Sequence, residues 1–239
     1  IIPLTGLENS LAAVKALQNV GMLWKVKGTP SIIWERWPNE KSRVLDEYQS
    51  KKVLSRIGIN VPKGFVITDK NSLLNKFRTI KKAVALKAIG INHKTDVSGV
   101  VLGINNENEL LNKFNNMKRL TRSKEFLIER QVDNCLVELL IGIVRDPQHG
   151  FMITIAEGGV LSELRKDSVT LCMPCNKTEI ARALEKLEIW PLLNGYRNKK
   201  AVNINNIVLA IFSLQRYALK ERARLVELEI NPLLVKSNQ

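Results

Sequence analysis

The sequence predicts an α+β fold with mixed or antiparallel sheets and flanking helices. Two observations lead to this prediction. Apolar runs of strand length mix with amphipathic segments without a strict βαβ order, and residues 136–159 have the pattern of a hairpin around the turn PQHG. The sequence shows no internal repeat, so a repeat architecture is not expected.

The helices are predicted from apolar residues that recur every three or four positions. The first, at 7–20, is expected to end at Gly21, and the second, at 42–57, to end at Gly58, because glycine is favoured just after a helix. The third is expected to have Asn71 or Ser72 as its cap. The third and later helices are predicted at about 71–80, 106–117, 178–187 and 205–221.

The strands are predicted from short apolar runs that lie between these helices or follow one another through turns. Their predicted positions are 64–68, 83–89, 100–104, 126–132, 136–146, 151–159 and 225–235.

The charge of the chain favours anionic partners, since 37 Lys and Arg residues face 23 Asp and Glu residues and give a net charge of +14. Nucleic acid, nucleotides, phosphates and coenzyme A all satisfy this condition. Nucleic acid is not expected, because only 5% of the residues are aromatic and the lysines are scattered along the chain. Most of them are interpreted as a solvated basic surface.

Three cysteines, an odd number, indicate a reducing compartment, and the cytoplasm is predicted. Cys172 and Cys175 form a CxxC pair, but zinc needs about four ligands and no second pair exists, so apolar filling beside a proline turn is favoured.

No apolar run has the length of a membrane span, and the N-terminus lacks the pattern of a signal peptide. Because it also lacks an initiator methionine, IIPLTGLENS is expected to be an internal part of a longer chain.

Lys87 lies inside the apolar strand VALKAI and must face an anion, because an unpaired buried ammonium group is costly. Two interpretations of Lys87 remain: an ion pair with an acid such as Glu129, and the binding of a phosphate group.

A second feature is ExExN at Glu227, Glu229 and Asn231, which places three polar side chains on one face of a strand. These oxygens suit Mg²⁺, and a solvent-facing strand side near Pro232 is the alternative.

Two glycine-bearing loops are further candidates. Gly158 and Gly159 end a strand and would let backbone amides approach a phosphate, or they form a tight turn. His93 lies in the polar stretch GINHKTDVSG between two apolar runs. A neutral imidazole is a competent nucleophile toward a phosphoryl group, and an uninvolved surface histidine is the alternative.

Four segments in order resemble a known family: VALKAIGINHKTDVSGVVLGI, VELLIGIVRDPQHGFMITIAEGGVLSELRKD, PLLNGYR and VELEINPLLV. They look like the ATP-grasp domain of NDP-forming acyl-CoA synthetases, the acetate–CoA ligase (ADP-forming) group related to succinyl-CoA synthetase. The resemblance covers about residues 41–235. It implies an ATP-grasp domain at 42–239, a linker at 29–41, and at 1–28 the tail of a preceding CoA-ligase-like domain.

The resemblance implies two lobes with ATP or ADP between them, Mg²⁺, and the reaction of a small carboxylate, ATP and CoA to acyl-CoA, ADP and phosphate. Lys87 would hold ATP phosphates, His93 would carry the phosphoryl group, and Glu229 and Asn231 would bind the metal. The remaining nucleotide-site residues implied are Glu129, Val132, Glu138, Gly158, Gly159 and Glu163. The implied partner is a CoA-binding domain or subunit.

Two departures from the family pattern favour an alternative, a non-catalytic binding module. Relatives usually carry an acid where this chain has Arg130, one position after Glu129. They also often continue beyond NPLLV to an aspartate that serves the metal, whereas this sequence ends at SNQ.

Overall fold

The computed structural model describes residues 6–25, 40–91, 99–159, 167–197 and 200–237. The chain divides into two compact units, residues 1–32 and residues 33–239. In the first unit, helix α1 (Leu7–Leu23) continues past Gly21, where the sequence predicted its end. A glycine inside a helix costs only about 1 kcal/mol relative to alanine and need not terminate it. The backbone N–H of Trp24 still donates to the carbonyl of Val20.

In the second unit, the first described helix is α2 (Glu47–Arg56), and a first four-stranded sheet follows it. Its strands lie side by side in the order β1-β4-β2-β3, and every neighbouring pair is antiparallel. Their bounds are β1 (Gly64–Ile67), β2 (Val84–Ala88), β3 (Val100–Ile104) and β4 (Phe126–Arg130). Helices α3 (Lys70–Ile80) and α4 (Glu107–Thr121) bury one face of this sheet, in a core that includes Leu73, Leu86, Phe114 and Phe126.

A second four-stranded antiparallel sheet follows, in the order β7-β6-β5-β8. It is formed by β5 (Val137–Asp146), β6 (Gly150–Glu157), β7 (Ser168–Cys172) and β8 (Glu227–Val235). The helices of this part are α5 (Lys177–Glu185), α6 (Trp190–Leu193) and α7 (Ile204–Lys220). Alternate side chains of β5 and β6 are fully buried in one core with residues of α5 and α7. The opposite face of the sheet is only partly covered.

The structure confirms the α+β class, the antiparallel sheets and the hairpin of β5 and β6. It corrects the start of α3, because Asp69 is the cap and accepts from the backbone N–H groups of Asn71 and Ser72. Helix α4 runs four residues beyond its predicted end at 117 and stops at Arg122, whose φ is 55°. Strand β7 and helix α6 were not predicted. No helix in the described ranges has the length and apolarity that a membrane crossing needs.

Candidate functional site

Lys87 and Glu129 share the face of the first sheet that is turned away from its core. Val84, Leu86 and Ala88 of β2 point into the core, so the alternate positions Ala85 and Lys87 point the other way. Glu129 pairs with Ala85 across β4 and β2, which makes Lys87 its diagonal neighbour. The Nζ of Lys87 lies 2.8 Å from Oε1 of Glu129. The predicted ion pair is therefore present.

Helix α2 adds a second acid and a second lysine to this pair. Glu47 Oε1 lies 2.7 Å from Nζ of Lys87 and 2.8 Å from Nζ of Lys51. Lys51 also contacts Glu129, with Nζ 2.5 Å from Oε2. Each lysine thus touches both carboxylates, and we call Glu47, Lys51, Lys87 and Glu129 the charged ring.

The local sequence of α2 explains how it supplies two ring members. Glu47 and Lys51 are four residues apart, so they lie on the same side of the helix. Asp46 caps the helix by accepting from the backbone N–H of Gln49 at 2.8 Å, which fixes where the first turn begins. The helix therefore presents an acid and a base together to the sheet.

The ring is poorly solvated, and the charged forms of Glu47 and Lys87 are stabilised by their ion-pair partners. The side chains of the ring are between 5% and 22% exposed. Burial alone would raise the pKa of Glu47, but Lys87 and Lys51 outweigh it and hold that pKa well below its usual range. Burial also opposes the charged form of Lys87, yet Glu129 and Glu47 raise its pKa above the usual value. Lys87 therefore remains a full cation at neutral pH.

Gly64 of β1 leaves room for the start of the side chain of the most buried ring member, Glu129, which is 4% exposed. The two residues are paired across β1 and β4, and a Cβ on Gly64 would lie 2.9 Å from the Cβ of Glu129. Arg130, at the position where the resembling family usually has an acid, is exposed. Val132 follows β4 in an irregular segment and is half-buried.

In the second sheet, the glycine pair packs directly on Glu138. The backbone N–H of Gly158 donates to the carbonyl oxygen of Glu138 at 2.7 Å. A Cβ on Gly158 would lie 2.9 Å from the backbone carbon of Leu139, and one on Gly159 would lie 2.6 Å from Oε2 of Glu138. Gly159 also has a φ of +83°, which side chains rarely adopt. The two glycines and Glu138, predicted separately, therefore form one cluster.

Strand β8 lies at the edge of the second sheet and carries the predicted metal ligands. Glu227, Glu229 and Asn231 are all exposed, while the intervening Leu228 and Ile230 pack against the core. This alternation confirms that the three polar side chains share one face. The register with β5 shifts between the pairs Ile141–Ile230 and Leu139–Leu233, so β8 bulges at the Asn231–Pro232 dipeptide.

The donor set on β8 fits Mg²⁺ better than zinc. Carboxylate and amide oxygens are hard ligands, and Mg²⁺ is usually held by one or two protein groups together with water and phosphate oxygens. Within the described ranges, no three His, Cys, Asp or Glu residues are grouped as a metal site. The side-chain oxygens of Glu229 and Asn231 are therefore groups on β8 whose chemistry suits Mg²⁺.

Two predicted site residues, His93 and Glu163, lie outside the described residues. The other histidine of the chain, His149, belongs to the β5–β6 turn. Its Nδ1 lies 2.9 Å from Oδ1 of Asp146, and its side chain is 58% exposed.

Comparison with known proteins gives the family. The model of the ATP-grasp domain family matches residues 36–239. The chain belongs to this family. It is 28% identical to the beta subunit of acetate–CoA ligase (ADP-forming) I from Pyrococcus furiosus, a match that covers 81% of the chain and 86% of the relative. It is 26% identical to acetate–CoA ligase (ADP-forming) II from Archaeoglobus fulgidus, covering 80% of the chain but 28% of that enzyme.

A solved structure supports the same assignment. It is the dinucleotide-forming acetyl-coenzyme A synthetase 1 of Ca. Korarchaeum cryptofilum, determined in complex with coenzyme A, Ca-AMPCP and HgCl⁺. The TM-score is 0.74 and the identity 27%, over 81% of this chain and 87% of the other. The two antiparallel sheets of this chain are therefore those of an ATP-grasp fold.

Sequence reasoning missed two members of the charged ring of this ATP-grasp domain, Glu47 and Lys51. Glu47 is 40 positions from Lys87, and Lys51 is 78 positions from Glu129, so no local pattern joins them. The available signal was the Glu–Lys pair at a spacing of four in a helix.

The structural role of Asp167 was also missed. This side chain is buried and accepts from the backbone N–H groups of Glu188 and Ile189 near α6.

Among the described residues, the CxxC pair is not part of a group of His, Cys, Asp or Glu that could hold a metal ion. Cys175 is buried, and its Sγ donates to Oε1 of Gln215 at 3.1 Å. Burial, with a smaller contribution from Glu179, raises the pKa of Cys175 to about 11, so its reactive thiolate is scarce. Cys172 is exposed at the end of β7.

Proposed function

We propose that this chain is the nucleotide-binding part of an ADP-forming acid–CoA ligase. The complete enzyme would convert a small carboxylate, ATP and CoA into acyl-CoA, ADP and phosphate. The observation that carries the proposal is Lys87, a half-buried lysine that is held in its charged form on the face of the first ATP-grasp sheet turned away from the core. The relatives named above are ADP-forming acetate–CoA ligases, which supports the reaction class.

Each site residue has a proposed task. Lys87 would neutralise ATP phosphates, and Glu229 and Asn231 would bind Mg²⁺, which supplies charge neutralisation during phosphoryl transfer. The cluster of Glu138, Gly158 and Gly159 would shape the nucleotide site on the second sheet. Further proposed contacts of the nucleotide are Glu129, Val132 and Glu163.

His93 would be the covalent relay. One of its ring nitrogens would attack the γ-phosphorus of ATP, a nitrogen–phosphorus bond would form, and the bond to the β–γ bridging oxygen would break with release of ADP. The phosphohistidine would then carry the phosphoryl group to the site where CoA and the carboxylate react.

The partner would be a CoA-binding domain or subunit. The chain spans 86% of the Pyrococcus furiosus beta subunit but only 28% of the Archaeoglobus fulgidus enzyme. The remaining part of such an enzyme would supply the CoA site, and residues 1–28 would be the end of that part, joined by a linker at 29–41. A cytoplasmic location is proposed from the odd number of cysteines in the sequence.

The relay is tested by labelling with Mg-ATP that carries ³²P in its γ-phosphate, in the presence of the CoA-binding partner. The wild-type chain should gain a label that is stable in alkali and labile in acid, as expected of phosphohistidine. His93→Ala should lose it, and His149→Ala, which alters the other histidine, should keep it. Equal labelling of wild type and His93→Ala would exclude His93 as the carrier.

The alternative is a non-catalytic ATP-grasp module that binds nucleotide without transferring a phosphoryl group. Two observations favour it: both oxygens of Glu129 are engaged by lysines, and Arg130 stands where the family usually has its acid. Such a module would bind Mg-ATP and depend on Lys87, yet it would remain unlabelled in the experiment above. Acyl-CoA formation in the presence of the partner would exclude it.

A further inference from the structure

The lysine proposed to bind phosphate is already engaged by two carboxylates. Its Nζ lies 2.7 Å from Oε1 of Glu47 and 2.8 Å from Oε1 of Glu129. A nucleotide phosphate must therefore compete with both acids for Lys87. Glu129 has a side-chain exposure of 5%, and a buried carboxylate that loses its only cation is strongly destabilised. Lys87 is released at low cost only if another cation stays with the acids.

Lys51 is positioned to be that cation. It contacts the same two carboxylates as Lys87, through Oε1 of Glu47 and Oε2 of Glu129. It reaches Glu129 through the oxygen that Lys87 does not use. The contact between Lys51 and Glu129 does not depend on where Lys87 points, so it persists when Lys87 turns away.

We propose that Lys51 is a positioning residue for nucleotide binding, which keeps Glu47 and Glu129 paired while Lys87 contacts a nucleotide phosphate. The charged ring contains two cations and two anions. When Lys87 exchanges its carboxylates for phosphate oxygens, no covalent bond changes, and Lys51 remains as the counter-ion of both acids. The inference rests on the proposed function, because it requires Lys87 to bind phosphate.

This role predicts opposite effects for two neighbours on one helix. Without Lys51, Lys87 is the one lysine of the charged ring left beside the buried carboxylate of Glu129. Glu129 then holds Lys87 more tightly, so nucleotide binding weakens. Without the charge of Glu47, two lysines share one carboxylate, so Lys87 is held less tightly and nucleotide binding does not weaken. A purely structural ring predicts instead that both changes weaken binding as they loosen the packing of α2 on the sheet.

The test measures the dissociation constant of Mg-AMPPCP, a non-hydrolysable ATP analogue, by titration calorimetry on the full 239-residue chain. Lys51→Met should raise the dissociation constant about tenfold, which corresponds to ~1.4 kcal/mol. Lys51→Arg should preserve binding, because the charge stays. Glu47→Gln should bind at least as tightly as wild type, and the double variant Lys51→Met/Glu47→Gln should recover most of the loss.

The matched control is Lys52→Met, on the same helix. Lys52 lies over the ring of Tyr48, with Nζ 4.3 Å from the ring centroid, and is not a member of the charged ring. Its loss removes one positive charge from α2 and should leave the dissociation constant unchanged. Thermal unfolding of each variant shows whether it is folded at the temperature of the titration.

The outcomes separate this inference from the proposed function. If Lys51→Met binds within about threefold of wild type, or Glu47→Gln weakens binding as much as Lys51→Met, the role of Lys51 is wrong. The proposed function still stands in that case, provided that Lys87→Met loses binding. If wild type does not bind Mg-AMPPCP, the role of Lys51 and the proposed function are both wrong. If Lys51→Met does not fold, the dissociation constant of Glu47→Gln decides whether the role of Lys51 is right. Binding at least as tight as that of wild type supports the role, and weaker binding contradicts it.

Discussion

At the scale of single residues, the site depends on a lysine inside an apolar strand. Burial of Lys87 is possible because Glu47 and Glu129 lie within 2.8 Å of its ammonium group. The sequence predicted that an anion must face Lys87 and named Glu129, because an isolated buried charge is costly. It left an ion pair and phosphate binding as alternatives. The proposed role of Lys51 would make the two compatible, since Lys51 contacts the same two carboxylates as Lys87.

The pKa of Glu47 leads to a prediction about acid stability. Its folded-state value lies below the ordinary 4.5, so ionised Glu47 stabilises the fold above that pH, and the contribution is lost as the pH falls further. The difference in unfolding free energy between wild type and Glu47→Gln should therefore be largest near neutral pH and shrink below about pH 4.5.

Urea unfolding of both proteins between about pH 7 and pH 3 provides the measurement. Glu185→Gln, which removes an exposed carboxylate of α5, controls for a general loss of negative charge. Parallel stability curves for wild type and Glu47→Gln would contradict the stabilising role of the ionised group.

At the scale of elements, the sequence predicted best those segments whose own pattern determines them. The hairpin of β5 and β6 has long apolar alternation around a polar turn, and it was predicted correctly. Strand β7 has only five residues, SVTLC, and was missed because its alternation, with Val169 and Leu171 toward the core, is too short to indicate a strand by itself. The cap of α3 was placed too late, since Asp69 competes with Asn71 and Ser72 for the same role.

The close approach of β6 to β5 gives a prediction about Gly158. A Cβ there would meet backbone atoms of Glu138 and Leu139 at 2.9–3.2 Å, and backbone cannot move away as a side chain can. Gly158→Ala should lower the unfolding free energy by about 1–3 kcal/mol, the usual cost of overpacking.

Gly142→Ala is the matched control for Gly158→Ala. Gly142 also lies in this sheet, but its added Cβ would meet only Cδ2 of Leu140, at 3.8 Å. Its effect on the unfolding free energy should be within about 1 kcal/mol. Urea unfolding measures both variants, and equal losses for the two glycines would contradict the role assigned to close packing at Gly158.

At the scale of the whole molecule, the fold could be predicted and the site only in part. Four motifs in order identified the ATP-grasp fold, which the family match over residues 36–239 confirms. The residues that complete the charged ring could not be predicted, because α2 reaches the sheet only in the folded chain. The net charge of +14 predicted an anionic partner without specifying which one. The ring and the exposed acids of β8 favour a nucleotide with its metal.

The most direct test of this account is thermal unfolding with and without Mg-ATP, for wild type and Lys87→Met. At about 100 times its dissociation constant, the ligand should add ~2.7 kcal/mol to the stability of wild type. The account predicts a clear upward shift of the wild-type midpoint and little or no shift for Lys87→Met, with each protein compared to its own ligand-free midpoint. No shift in wild type, or an equal shift in Lys87→Met, would contradict the claim that Lys87 binds the nucleotide.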